Sequence, residues 1–207
     1  MAEAGRVPAA DAVTAGFDNA ELRTERLTLR RPVADDVVAV HEIHRDPLAC
    51  AHNPSDALRT AEEAAGLLER WLEHWRGFGF GYWVVRPLDA GRPLGFCGVK
   101  LTDVDDRRAL NLFYRFDPAA WGRGIASEAA REVVRWARAA LPAFPVVARV
   151  RPANTASQRV ALKAGLTRAE HLDRPGEDGP DLLFAAGWES GHFSAFTARR
   201  PDESADR

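Results

Sequence analysis

Two stretches of the chain share one pattern: a short apolar run, a break at proline, and an amphipathic segment that opens on small or capping residues. In the first, Leu110 to Phe116 reads as a strand and Asp117-Pro118 as a turn. Trp121-Gly122-Arg123-Gly124-Ile125-Ala126 then bends into a helix expected from about Ser127 to Ala140. In the second, Val146 to Val150 is a strand, Pro152 breaks it, and a short helix from Asn154 to Ala164 closes at Gly165. Asn154 suits the N-cap and Gly165 the position just past the end. Two strand-then-helix units in tandem place both helix starts at the same edge of a sheet, with a groove between them.

The flanking pattern supplies the rest of the sheet. Leu27-Thr28-Leu29-Arg30 alternates as a first strand, and Pro32 ends it. Asp35-Asp36 then opens a helix running through His44, followed by a loop over residues 46–59. Thr60-Ala61-Glu62-Glu63 is a capping box for a helix to about Arg76. Its Leu67, Leu68, Trp71, Leu72 and Trp75 share one face, as a core stripe or as the wall of an acyl or substrate pocket. Tyr82-Trp83-Val84-Val85 begins a meander of three strands whose third member leads to the glycine bend. After Gly165 the expected elements are a strand near Leu166 to Leu172, a polar loop from Asp173 to Pro180, and a last strand from Leu182 to Trp188. The order β-α-α-β-β-β-α-β-α-β-β makes a mixed α/β (α+β) sheet covered on both faces. Residues 1–20 read as a flexible leader, 21–188 as one domain and 189–207 as a flexible tail, whose Phe193 and Phe196 could serve a homodimer.

Composition narrows the class. A chain of 207 residues with 46% hydrophobic content and six tryptophans has ample material for one core. A net charge of −2 argues against general nucleic-acid binding. No apolar run approaches a membrane span and the first 20 residues lack a signal-peptide pattern, so a soluble cytoplasmic protein with no membrane partner is expected. Cys50 and Cys97 form no CxxC pair, and Cys97 suits a small core position. His41 and His44, with Asp46, read as a solvated helix face rather than metal ligands, so no metal is expected.

The glycine bend is an anion seat in chemical terms. The first turn of a helix leaves backbone N–H groups without intrahelical partners and carries partial positive charge. Gly122, Gly124 and Ala126 let a phosphate approach closely, and Arg123 adds a fork donor. The stretch lacks the Lys-Ser/Thr ending of a P-loop and a full G-x-G-x-x-G, which disfavours a nucleoside triphosphate or a dinucleotide.

W-G-R-G-I-A followed by S-E-A-A, and then R-P-A-N-T-A-S-Q-R-V-A-L-K-A-G-L, resembles the GNAT superfamily of acetyl-CoA-dependent N-acetyltransferases, more narrowly its RimJ/RimL-type branch. The resemblance covers about Leu22 to Trp188. It implies a mostly antiparallel sheet whose two central parallel strands splay apart to form a cofactor groove. It implies that Gly122, Arg123, Gly124, Ile125, Ala126 and Ser127 hold the CoA pyrophosphate, that the Tyr114, Arg115 and Phe116 backbone pairs with pantetheine, and that Asn154 contacts the cofactor near its thioester arm. The chain departs from better-known relatives in two places. A Tyr general acid seven residues after the asparagine is replaced by Ala161, and a Glu base five residues before it by Arg149.

Transfer to an amine requires a neutral nucleophile, a polarised thioester carbonyl and a proton for the leaving thiolate. Backbone N–H groups on the Tyr114 to Phe116 strand suit the second requirement. Ser157, one turn after Asn154, is the candidate for the third, or else simply satisfies backbone at the helix start. An α-amine near pKa 8 is about one-tenth neutral at neutral pH, so without an obvious base the easier acceptor is a protein N-terminus or a low-pKa small-molecule amine. Asp46 and His52 lie in the loop expected to shape the acceptor pocket, while Glu128 has a sufficient electrostatic reason to sit in the first helical turn. Asp103, Asp105 and Asp106 could attract a cationic amine or simply form a turn. The alternative to an enzyme is an inactive acyl-CoA-binding sensor or interaction module on the same fold.

Overall fold

The computed structural model describes residues 21–89 and 91–188; the expected leader and tail, with Phe193 and Phe196, lie outside them. Its strands are β1 (Leu22–Arg23), β2 (Leu27–Arg30), β3 (Tyr82–Pro87), β4 (Gly95–Val104), β5 (Arg107–Phe116), β6 (Val146–Val150), β7 (Thr167–Arg168), β8 (Arg174–Gly176) and β9 (Gly179–Ala186). Among the described residues four α-helices accompany them: α1 (Val37–His44), α2 (Ala61–Phe78), α3 (Ile125–Ala140) and α4 (Thr155–Lys163). The strands run β1-β2-β3-β4-β5-β6-β9-β7 across one sheet, with β8 paired to β9. All neighbours are antiparallel except β5 and β6.

Alternation along the strands sends side chains to two separate cores. Trp83, Cys97, Val99, Leu112 and Phe116 face α3 and α4, whose Ile125, Val133, Val134 and Ala161 complete the larger one. Val84 and Phe96 face the other way, against Val40 and Ile43 of α1 and Leu68 and Trp71 of α2. The α2 stripe packs as core, with Trp71 and Trp75 both buried. The helix starts as its sequence requires. Thr60 accepts from the Glu63 N–H at 3.2 Å, and Glu63 accepts from the Arg59 and Thr60 N–H groups at 2.6 and 3.3 Å. Gly79, left-handed at φ 71°, ends it beyond Phe78.

Local chemistry moved several expected boundaries. The polar segment from Asp173 to Pro180 is a hairpin: Glu177 and Asp178 make its turn, and Gly179 at φ 120° leads the chain out of it as the first residue of β9. The strand expected near Leu166 to Leu172 contracts to β7 and a 3₁₀ turn at Glu170–Leu172. The short strand β1 lacked any alternation by which to read it, since it has only two residues.

His44 corrects the reading of a solvated face. Its ring is 2% exposed, sits near Trp71 and Phe96 at 5.8 Å each, and makes a 2.9 Å contact between Nδ1 and the Val40 carbonyl. Burial, reinforced by the Arg115 charge, lowers its pKa from 6.5 to about 4. Unfolded chain therefore takes up a proton that the folded chain refuses until about pH 4, and unfolding free energy falls as pH drops from about 6.5 to about 4. The expected loss from His44 over that window is about 3 kcal/mol, and His74, whose pKa burial and the Lys100 charge also lower to about 4, adds to the measured slope. Urea unfolding should show most of it between about pH 7 and about pH 4.5. His44→Phe should flatten the profile by about 2–3 kcal/mol, and an unchanged profile in that variant would assign the loss elsewhere.

Candidate active site

The parallel seam between β5 and β6 is two pairs long, Leu110 with Val146 and Asn111 with Val147. Beyond Asn111 the strands part, although β5 stays paired with β4 through Phe116. Backbone direction alternates along β5. The Leu110 N–H donates to the Pro145 carbonyl across the seam at 2.8 Å, and the Asp117 N–H donates to the Leu94 carbonyl on the opposite side at 2.9 Å. Leu112, Tyr114 and Phe116 consequently turn their backbone groups toward β6, and for Tyr114 and Phe116 the β6 ladder has already ended. Arg115 turns its backbone to β4.

At the mouth of this opening the chain bends into α3. Asp117 Oδ1 accepts from the Ala119 N–H at 2.8 Å, and Trp121 Nε1 donates to the Phe116 carbonyl at 3.1 Å, so the approach to the bend is fixed. Gly122 and Gly124 have φ of 73° and 77°. With open space at Gly122 and only Arg26 near Gly124, the positive φ is what requires glycine at both positions. The helix begins at Ile125, two residues earlier than expected, and Gly124 at its N-cap offers no side-chain oxygen. The first-turn N–H groups are thus left for another acceptor. Behind the bend, Glu128 accepts from Thr24 Oγ1 at 2.5 Å and from the Arg26 N–H and Nε at 3.0 and 2.7 Å, and Arg26 donates on to the Arg123 carbonyl at 3.0 Å. Partial burial opposes the charge, but those hydrogen bonds outweigh it and lower the Glu128 pKa. Glu128 fixes the bend in place.

Across the opening, Asn154 caps α4 by accepting from the Ser157 N–H at 3.0 Å. Ser157 Oγ lies 2.7 Å from the Tyr114 hydroxyl, which also donates to the Ser157 carbonyl at 2.9 Å. Ala161, one turn further along, is buried. Burial raises the Tyr114 pKa against the Ser157 hydrogen bond, so the phenol keeps its proton at neutral pH.

On the other sheet face, the loop after α1 is tied to both sides of the opening. Arg115 is buried on β5; its guanidinium donates to Asp56 at 2.7 Å and to Cys50 Sγ at 3.3 Å. Arg151, at the end of β6, donates to Asn53 at 3.1 Å, pairs with Asp181 at 2.9 Å and reaches the Gly179 carbonyl. Ser55 donates to Asp178 at 2.6 Å. Asp46 is spent within the loop, accepting from the Leu48 and Ala49 N–H groups at 2.8 and 3.1 Å, and His52 is exposed on it. Asp103 and Asp105 pair with Arg108 and Arg174 around the β4–β5 turn, at the far end of β5 from the bend.

Residues 26–167 match the sequence model of the acetyltransferase (GNAT) domain. The chain belongs to the GNAT acetyltransferase family. The GNAT chain is 31% identical to the Bacillus subtilis protein YkkB over 91 residues, 44% of this chain and 53% of YkkB. It is 25% identical to the Bacillus subtilis N-acetyltransferase YoaA over 71% of its own length and 82% of YoaA's. It spans about half the length of YkkB. An acetyltransferase crystal structure from Agrobacterium tumefaciens superimposes with a TM-score of 0.68 at 25% identity, over 90% of this chain and 98% of that one.

The contacts that the sequence pattern missed join residues far apart along the chain. Arg115 and Asp56, Arg151 and Asn53, and Tyr114 and Ser157 lie 59, 98 and 43 positions apart, so no spacing signal connects them. Asp56→Ala should leave the Arg115 guanidinium buried without its carboxylate and destabilise the fold by about 1.5–3 kcal/mol. Hydrogen exchange should quicken over residues 46–60 first, and unchanged exchange there would show that the pair does not hold the loop.

Proposed function

We propose that this GNAT chain is an acetyl-CoA-dependent N-acetyltransferase of the RimJ/RimL type, moving acetyl directly to a primary amine. The acceptor is a protein N-terminal α-amine or a small-molecule amine, and the place of work is the cytoplasm. The carrying observation is the ending of the β5–β6 ladder at Asn111, which leaves Tyr114 and Phe116 backbone groups directed into the opening below an uncapped helix start. Those features fit the two ends of CoA. The Gly122 to Ser127 amides and the exposed Arg123 suit its pyrophosphate, and the β5 edge suits its amide-bearing pantetheine arm. Arg115, whose backbone faces β4, serves by fixing the acceptor loop instead.

Acetyl-CoA supplies the activated acyl group, and the protein contributes position and charge. An N–H of the Tyr114–Phe116 edge is suited to steady negative charge developing on a carbonyl oxygen. Ser157 Oγ, 2.7 Å from the Tyr114 phenol, can release its proton toward a departing thiolate if the phenol turns its single proton from the Ser157 carbonyl to that oxygen. This pair supplies hydroxyl protons one turn before Ala161, where the family's usual Tyr is absent, and that favours an enzyme over an inactive binding module. Asn154 acts chiefly by holding Ser157 in place.

Arg123 engages the rest of the protein through its carbonyl, so Arg123→Glu should leave the melting temperature unchanged while weakening CoA binding by about tenfold or more in calorimetric titration. Unchanged affinity would refute the pyrophosphate assignment. Gly124→Glu would additionally strain the backbone at φ 77°, so loss of stability is expected with it. Ser157→Ala should lower kcat about 10²-fold or more with little change in CoA affinity, measured as thiol release over a panel of amines. Tyr114→Phe should give a smaller loss. Cofactor binding with no thiol release from any amine would instead support the sensor reading.

A further inference from the structure

The face of the sheet opposite α3 and α4 carries a set of cations that no carboxylate answers among the described residues. Lys100 on β4 pairs in register with Asn111 on β5, and Asn111 pairs with Val147, the last contact before the strands part. Arg149 stands two residues further along β6, on the same face as Val147 and exposed. The Tyr82 ring joins these positions. Lys100 Nζ lies 4.8 Å from its centroid, its hydroxyl bonds to the Asn111 side chain, and the Arg149 charge acts on the same phenol. Arg70, on α2, adds a third cation and accepts from Lys100 Nζ through its carbonyl at 3.5 Å.

Neighbouring arginines are neutralised, which makes the contrast specific. Arg115 is answered by Asp56, and Arg151 by Asp181 and more distantly Asp178. Among the described residues no carboxylate comes within ion-pair distance of Arg70, Lys100 or Arg149; Asp56, which also acts on Tyr82, is held by Arg115. Burial, with the Arg70 charge added, pulls the Lys100 pKa down to about 8, as expected of a cation without an anion beside it. Two exposed arginines and a lysine could be an ordinary solvated face. Lys100, however, is half-buried, lies over the Tyr82 ring and pairs in register with Asn111, the last residue of the seam.

We infer that the acceptor is a small amine bearing its own anionic group, a carboxylate or phosphate, which is seated by Arg149, Lys100 and the Asn111 amide on the face opposite α3 and α4. This rests on the transferase reading and names its substrate class. The same cations would disfavour the protonated form of an amine held beside them, easing the deprotonation for which no base is evident.

Two measurements test it. In the first, amines are compared in pairs at low ionic strength, an amino acid against its amide and phosphoethanolamine against ethanolamine. At least one anionic partner should have a kcat/KM about tenfold or more higher, and Arg149→Gln and Lys100→Gln should each erase most of the advantage, chiefly through KM. The pair that responds identifies carboxylate or phosphate. Turnover without anionic preference overturns the inference while leaving the transferase standing. In the second, binding of N-acetyl amino acids and their amides, and of N-acetylphosphoethanolamine and N-acetylethanolamine, is titrated without acetyl-CoA. In at least one pair the anionic ligand should bind about tenfold more tightly, and Arg149→Gln should remove the difference. Equal binding, or none, in both pairs overturns the inference. Selective binding by a protein that turns over no amine would support the anion seat and refute the transferase reading instead.

Discussion

A backbone amide or carbonyl that loses its strand partner inside a protein must find another, because leaving it dry and unpaired costs about as much as a lost hydrogen bond. That constraint governs this structure where β5 and β6 separate after two register pairs. Tyr114 and Phe116 point backbone groups into the opening, one of which, the Phe116 carbonyl, is met by Trp121. The others require water or an extended ligand able to pair like a strand. The same separation gives room for Tyr114 to carry its hydroxyl across to Ser157. The open β5 edge and the meeting of Tyr114 with Ser157 are therefore both consequences of one early end to a ladder.

Holding that opening in shape falls to charged groups away from its centre. Glu128 joins the bend to the turn between β1 and β2 through Thr24 and Arg26. Arg115 and Arg151 fasten the loop after α1 to the two parted strands. Arginine suits these positions because its planar fork reaches several acceptors at once, as Arg151 does with Asn53, Asp181 and the Gly179 carbonyl.

Much of the scaffold was legible because the signals were local. The capping box at Thr60, the cap at Asn154, the alternation of β3 to β5 and the glycines of the bend each depend on residues within a few positions of one another. The parting of β5 and β6 was implied only by family resemblance, since nothing in the apolar runs distinguishes a paired strand edge from an open one. The β8–β9 hairpin was hidden by composition, because its Pro, Gly and Asp content reads as loop until Gly176 and Gly179 are seen to pair across a two-residue turn. At the site, the glycine bend announced itself, whereas the Tyr114 hydroxyl, Arg115 and Arg151 acquire their roles from partners brought close only by folding. His44 failed for a related reason: a helix of eight residues is too short for polarity alone to show which side meets α2.

The loop after α1 is anchored to β5 through Asp56 and Arg115, and to the β6 and β9 side through Asn53, Ser55, Arg151 and Asp178. An aperture stapled on both rims has a set width. If the opening takes an acyl-CoA, as proposed, an aperture held on both rims would register a longer or shorter acyl group as collision or as lost contact rather than as a slower closing step.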